Sequence, residues 1–358
     1  AEHTKYGENA EKKVKKGFRL FETPGIPLSL PPIQEMSVTD FSVFIENPYL
    51  FYLRRYLRLE MVSDSARELD AASFGSLLHR VVQRFGEEEI TLAVDPMARA
   101  SALKNEERFT EEVERIQVRL SALLKIVVAE CFGKDTLPVV ELQCAQLQER
   151  LLAFAEKQAE QYREGWQIWA VERKINAFLR EDGGRGEILY FGEKEPLPML
   201  IRGQLDRIDC RTWENGTREW QIWDYKTASK SPTEKHFGRK NIPEEVTAEM
   251  WKDLQLPLYM HVLRSERLNE MVPDTVAQAG PSVRTIDTSH LSVGYILLPK
   301  KALETKFVTS DWPSEVLESA EERIREIAQA VHDKKLENNG EMGNWDRKTV
   351  VEWILNPN

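Results

Sequence analysis

Two β-forming runs, from Met199 to Cys210 and from Glu219 to Tyr225, meet at Asn215-Gly216. No other feature of the chain constrains its fold as strongly. An Asn-Gly pair between such runs is a hairpin signal, because both residues tolerate the positive φ that tight turns demand. Two loops fit the junction. A two-residue turn at Asn215-Gly216 pairs Asp206 with Tyr225. A three-residue loop, Glu214-Asn215-Gly216, with Gly216 as a left-handed bulge, moves the register by one and sets Asp206 opposite Asp224. We expect the second. Directly opposed residues have Cβ atoms about 4.5–5.5 Å apart, and two carboxylates that close repel unless a positive charge lies between them. A hard divalent cation suits such oxygen ligands. Lys226 lies two residues beyond Asp224 and so shares its face. Ile208 and Ile222 on that face argue for burial rather than a solvated polar hairpin.

The rest of the chain reads as helices around a short set of strands. Ser37-Val-Thr-Asp40 has capping-box character, and Phe41, Phe44 and Ile45 follow at helical spacing before Pro48. Phe74, Leu77, Leu78, Val81, Val82 and Phe85 form one apolar stripe on a helix expected over residues 66–86. Two charged helical stretches, 98–132 and 137–164, suggest a helical insertion at 87–164. The character changes at Trp166: Ile168 to Ile175 and Leu291 to Leu298 read as strands. Met250 to Arg264 and Ser314 to Lys335 read as helices. The expected organisation is an N-terminal arm over 1–35, a mixed α/β core over 36–300 and a C-terminal helical segment over 301–358 that packs on the core.

No apolar run approaches the roughly 20 residues of a membrane span. Cys131, Cys144 and Cys210 form neither a C-x-x-C unit nor a disulfide framework, which fits a reducing, cytoplasmic setting. The net charge of −10 does not favour a nucleic-acid binder, but phosphates are met by local patches and metal ions. One such patch holds Lys226, Lys230, Lys235, Arg239 and Lys240, with only Glu234 against them.

An acid two residues before a lysine is common here, as at Glu172/Lys174, Glu304/Lys306 and Asp333/Lys335. Only Asp224-Tyr-Lys226 lies on an expected strand beside a second aspartate. Three further segments sharpen it: Phe74-Gly-Ser-Leu-Leu-His79, Gly203-Gln-Leu-Asp206-Arg207-Ile208-Asp209 leading to Asp224-Tyr225-Lys226-Thr227, and Gln255-Leu-Pro-Leu-Tyr259. A lone histidine on an apolar helix is ordinarily a core residue. Here it stands first in an ordered series. The order His, G-x-x-D-R-x-D, D-Y-K-T, Q-x-x-x-Y resembles the RecB-like branch of the PD-(D/E)XK nuclease superfamily, which includes the RecB and AddB helicase–nuclease subunits and CRISPR-associated Cas exonucleases. The opening, Ser37 to Phe41 and Asn47 to Phe51, resembles the start of AddB-type nuclease domains.

The resemblance implies a restriction-endonuclease-like α/β core and a divalent-metal-dependent DNA exonuclease within a repair and recombination helicase–nuclease. It implies His79, Asp206, Asp224 and the Tyr225 carbonyl as ligands for Mg²⁺ or Mn²⁺. Lys226 becomes the catalytic lysine, and Gln255 and Tyr259 position the strand or the site. Glu172, on the strand before the hairpin, and Arg207 take supporting roles. Arg54, Arg55, Arg58, Lys230, Lys235, Arg239 and Lys240 are candidates for DNA-backbone contact, which positions a strand without reading sequence. Implied partners are DNA and a helicase segment or subunit, with no membrane. The chain departs from many AddB-type relatives at the iron–sulfur cluster. Asn47 stands where they have the first cysteine, and residues 339–358 contain none, so no cluster is expected. Two alternatives remain: a non-cutting DNA-binding or scaffolding module, which typically loses these acids or the lysine, and a nuclease acting on RNA.

Overall fold

The computed structural model describes residues 26–337 apart from 28, 60–70, 93, 134–136, 193–195 and 267–287. Most of the expected N-terminal arm, the start of the helix expected at residue 66, and the cysteine-free tail from 338 lie outside the described residues. The chain forms a six-stranded mixed sheet flanked by helices, the architecture expected of a restriction-endonuclease-like core. In chain order the elements are β1 (Glu35–Ser37), α1 (Val38–Glu46), α2 (Pro48–Arg55), α3 (Ala71–Thr91), α4 (Pro96–Ala102), α5 (Glu106–Phe132), α6 (Pro138–Arg163) and β2 (Trp166–Phe178). A small ribbon, β3 (Tyr190–Phe191) and β4 (Leu197–Pro198), precedes β5 (Leu200–Thr212) and β6 (Arg218–Lys226). Then come α7 (Pro232–Phe237), α8 (Gln255–Glu266), β7 (Leu291–Leu297), β8 (Lys306–Thr309) and α9 (Ser314–His332).

Local chemistry sets several of these boundaries. Ser37 caps α1 in a reciprocal box with Asp40. Asn47 accepts from the Tyr49 and Leu50 N–H groups and caps α2, with Pro48 in the first turn. The stretch expected as one helix from residue 98 is two, because Asn105 starts a new one by capping α5. The helix expected from Met250 begins instead at Gln255. Pro257 has no N–H and is tolerated only in a first turn, and Asp253 Oδ1 accepts the Gln255 N–H at 2.8 Å. Strand β8 and the short helix α7 were not foreseen from the sequence.

Period-two alternation divides the sheet between two cores. Ile208 and Cys210 of β5 and Trp220 and Ile222 of β6 face the core built with α1, α8 and α9. Trp223 and Tyr225 face the core built with α3, α5 and α6, which buries the whole stripe from Phe74 to Phe85. No described helix is long and apolar enough to cross a membrane.

One topological detail shapes the site. Strand β2 covers one edge of β5 along most of its length. On the other edge β1 pairs with residues 200–202 and β6 with residues 207–212. Residues 203–206 lie between these two partners.

Candidate active site

The hairpin takes the three-residue loop. The Trp213 N–H donates to the Thr217 carbonyl, the Gly216 N–H donates back to Trp213, and Gly216 has φ 82°. Pairing runs from Thr212 with Arg218 to Arg207 with Trp223. One residue further, that register sets Asp206 opposite Asp224. There the ladder opens, and the Tyr225 N–H donates to Asp206 Oδ2 at 2.9 Å. On the other side of β5, Val171 pairs with Arg207 and Arg173 with Leu205, so Glu172 falls opposite Asp206. Glu172 has φ 48°, a left-handed conformation uncommon for a non-glycine residue. Three carboxylates thus stand on three neighbouring strands.

Their surroundings differ. His79 reaches in from α3, with Nδ1 3.5 Å from Asp206 Oδ2 and Nε2 3.3 Å from the Tyr225 carbonyl oxygen. One ligand atom each from His79, Glu172 and Asp206 lie within 4.8 Å of one another. Asp224 is turned toward the lysine side. Its Oδ1 accepts from Gln255 Nε2 at 2.6 Å, and its Oδ2 lies 2.7 Å from Lys226 Nζ. That second contact is an ion pair without hydrogen-bond alignment, and Oδ2 is otherwise buried with no donor.

Gln255 acts as a two-way clamp. Its carbonyl oxygen accepts from Lys226 Nζ at 2.9 Å while its amide donates to Asp224 and to the Tyr259 hydroxyl at 3.0 Å. An ammonium only donates and a carboxylate only accepts, which fixes this amide orientation. Tyr259 lies one helical turn on and donates to the Gln204 carbonyl at 3.0 Å.

Electrostatics follow from burial. Asp206 is pushed well above the ordinary carboxylate range, first by burial and then by the Asp224 charge. Burial also raises Glu172. Desolvation is the largest influence on Lys226 and opposes its charge, but Asp224, with Asp253 and Asp206, together outweigh it and raise the lysine. Asp206 and Glu172, two carboxyl groups that resist ionisation, with a histidine beside them and an Asp224 oxygen that lacks a hydrogen-bond donor, form a donor set suited to a hard divalent cation. His79, Glu172 and Asp206 would hold it, with Asp224 Oδ2 and the Tyr225 carbonyl at hand.

Arg207 lies on the opposite face from Asp206. Wholly buried, it makes a two-pronged pair with Asp209 at 2.7 Å and donates to Gln158 at 2.6 Å and to the Tyr225 hydroxyl at 3.3 Å. Its connection to the site is through Tyr225. The seven basic candidates are exposed and, among the described residues, none ion-pairs with the site acids. Arg54 and Arg55 end α2, where Arg55 donates to the Glu35 carbonyl at 2.7 Å, and Arg58 follows with φ 54°. Lys230, Lys235, Arg239 and Lys240 surround α7, which follows directly from the strand carrying Lys226. Lys235 pairs with Asp253 at 3.2 Å. His236 of that helix is buried against the Asp253 carbonyl and the Tyr295 hydroxyl, and burial holds it down at about 4. Gln204, Asp253 and Gln158 were missed from the sequence. Each matters through a partner between 2 and 55 residues away, and only Gln204 lies inside a motif.

The family model of the PD-(D/E)XK nuclease superfamily matches residues 35–343. The chain belongs to this superfamily of metal-dependent nucleases, and it is a hydrolase of that kind. No curated protein matches it.

Proposed function

We propose that the chain is a Mg²⁺- or Mn²⁺-dependent deoxyribonuclease of the RecB-like branch, acting from DNA ends as the nuclease part of an AddB-type helicase–nuclease. The observation that carries the metal-dependent cutting is the convergence of Glu172, Asp206 and Asp224 on adjacent strands with His79 and Lys226. The ordered motifs and the AddB-like opening support the narrower placement.

His79, Glu172 and Asp206 would hold a divalent cation, with Asp224 and the Tyr225 carbonyl at hand, and such a cation would supply Lewis-acid polarisation of phosphate oxygen and acidify water near neutral pH. The protein's own residues do the positioning. Lys226 lies 2.7 Å from Asp224. It orients or deprotonates the attacking water and balances charge gained by the phosphate. Gln255 fixes Lys226 relative to Asp224, and Tyr259 fixes Gln255. The buried Arg207–Asp209 pair holds Tyr225 from behind. The cations around α7 and at the end of α2 would contact the DNA backbone without reading bases.

The test is a time course on end-labelled linear and on circular DNA, single- and double-stranded, with Mg²⁺, Mn²⁺ or EDTA. The expected result is metal-dependent shortening of linear DNA with circles spared. Cutting of circles would refute action from ends, preference for RNA would refute the substrate, and full cutting in EDTA would refute the metal site.

A further inference from the structure

The site has two halves, one made of metal-ligand candidates and one made of the lysine and its clamp. A single residue touches both. Gln204 Nε2 donates to Glu172 Oε2, and the Gln204 backbone carbonyl accepts from the Tyr259 hydroxyl. One hydrogen-bonded chain therefore runs from Glu172 through Gln204, Tyr259 and Gln255 to Asp224 and Lys226. We infer that Gln204 is a positioning residue that aims the Glu172 carboxylate at the cation and ties it to the lysine side.

Three observations support this role. Glu172 sits at a left-handed position in an otherwise extended strand. Such a conformation costs energy and persists only where neighbours enforce it. Its carboxylate makes no Lys or Arg ion pair among the described residues, and the Gln204 amide is the donor that fixes one of its oxygens. A bond to one oxygen leaves the other free to ligate. Residues 203–206 also lie between β1 and β6 on their edge of β5. The Tyr259 hydroxyl meets the chain there, at Gln204. Gln204 is exposed, so replacing its side chain disturbs little packing. The backbone bond to Tyr259 does not depend on that side chain.

This inference rests on the metal site proposed above, and a double-mutant cycle separates the two. Mn²⁺ alone is titrated by calorimetry into the wild-type protein, Gln204→Leu, Glu172→Gln and the double variant. Removing a group that orients a ligand typically weakens metal binding by 10–100-fold. For an exposed donor we expect about tenfold in Gln204→Leu, with lost turnover recovered as Mn²⁺ is raised. Glu172→Gln should weaken binding further, and adding Gln204→Leu to it should change little, because the carboxylate that Gln204 aims is gone. Full additivity, or wild-type affinity in Gln204→Leu while Glu172→Gln is impaired, would overturn the role of Gln204 and leave the metal site standing. Wild-type affinity in Glu172→Gln would overturn both the inference and the place of Glu172 in that site.

Discussion

Asp206→Asn should stabilise the metal-free protein and remove its response to metal. The substitution keeps the shape of the side chain and the oxygen that accepts the Tyr225 N–H. It deletes one of three carboxylates that face one another across β2, β5 and β6. Opposed strand residues lie about 5 Å apart at Cβ, and two unit charges at that spacing repel by about 3 kcal/mol at an effective dielectric constant of about 20. Lys226, 2.7 Å from Asp224, offsets part of this, leaving about 1–2 kcal/mol to recover. That corresponds to a rise of about 1–3 °C in the melting temperature. The pH sign agrees. Asp206 is raised in the folded protein, so the folded state holds its proton more tightly than the unfolded chain does. The contribution of Asp206 to the stability of the metal-free wild-type should be greatest below the ordinary aspartate value of about 3.9. From this group it should lose stability as pH rises from there through the raised folded value. The Asn variant should lack that loss. A cation at 100 times its Kd adds about 2.7 kcal/mol to a protein that binds it only when folded. Thermal melts in EDTA and in Mn²⁺ for both proteins measure all of this. A lower melting temperature for Asp206→Asn in EDTA, with the wild-type gain in Mn²⁺ retained, would refute the reasoning.

Three further outcomes are expected. Lys226→Ala should bind Mn²⁺ nearly normally in calorimetry yet lose turnover by about 10²-fold or more, whereas Asp224→Ala should lose both; wild-type cutting by both would place the chemistry elsewhere. Asp209→Ala strands the wholly buried Arg207 charge and should cost about 3–5 kcal/mol of stability in urea unfolding; a loss under about 1 kcal/mol would show that water reaches the pair. Gly216→Val should impair metal affinity and cutting through the backbone alone. A side chain there meets nothing within 4 Å, but φ is +82°, a value β-branched residues strongly disfavour, and a one-residue slip turns Asp224 and Lys226 away from Asp206. An unchanged Mn²⁺ affinity would refute that account.

Local and periodic features of the fold were legible in the sequence alone. Asn215-Gly216 and the acid spacing announced the hairpin and its register, because strand alternation is strictly two and a loop length decides which residues meet. The Ser37 capping box and the apolar stripe of α3 were legible for the same reason, since both act within a turn or two of chain. The placing of His79 beside Asp206 was open to a reader only through the ordered motifs, as nothing local brings a helix at residue 79 to a strand at residue 206. Tertiary structure alone decided the rest. Strand β8 is only four residues long, too short for a periodic pattern to mark it, and it forms by pairing with β7. The left-handed Glu172 lies within a long regular β pattern, and only the neighbouring strand reveals it. Lys235, which reads as a free cation in a basic run, is engaged by Asp253, 18 residues away. Asp224 reads as a metal ligand equal to Asp206, yet Gln255 and Lys226 hold it on the other half of the site. Those contacts depend on where α8 and β7 pack, and packing is set by the whole buried surface, not by any spacing along the chain.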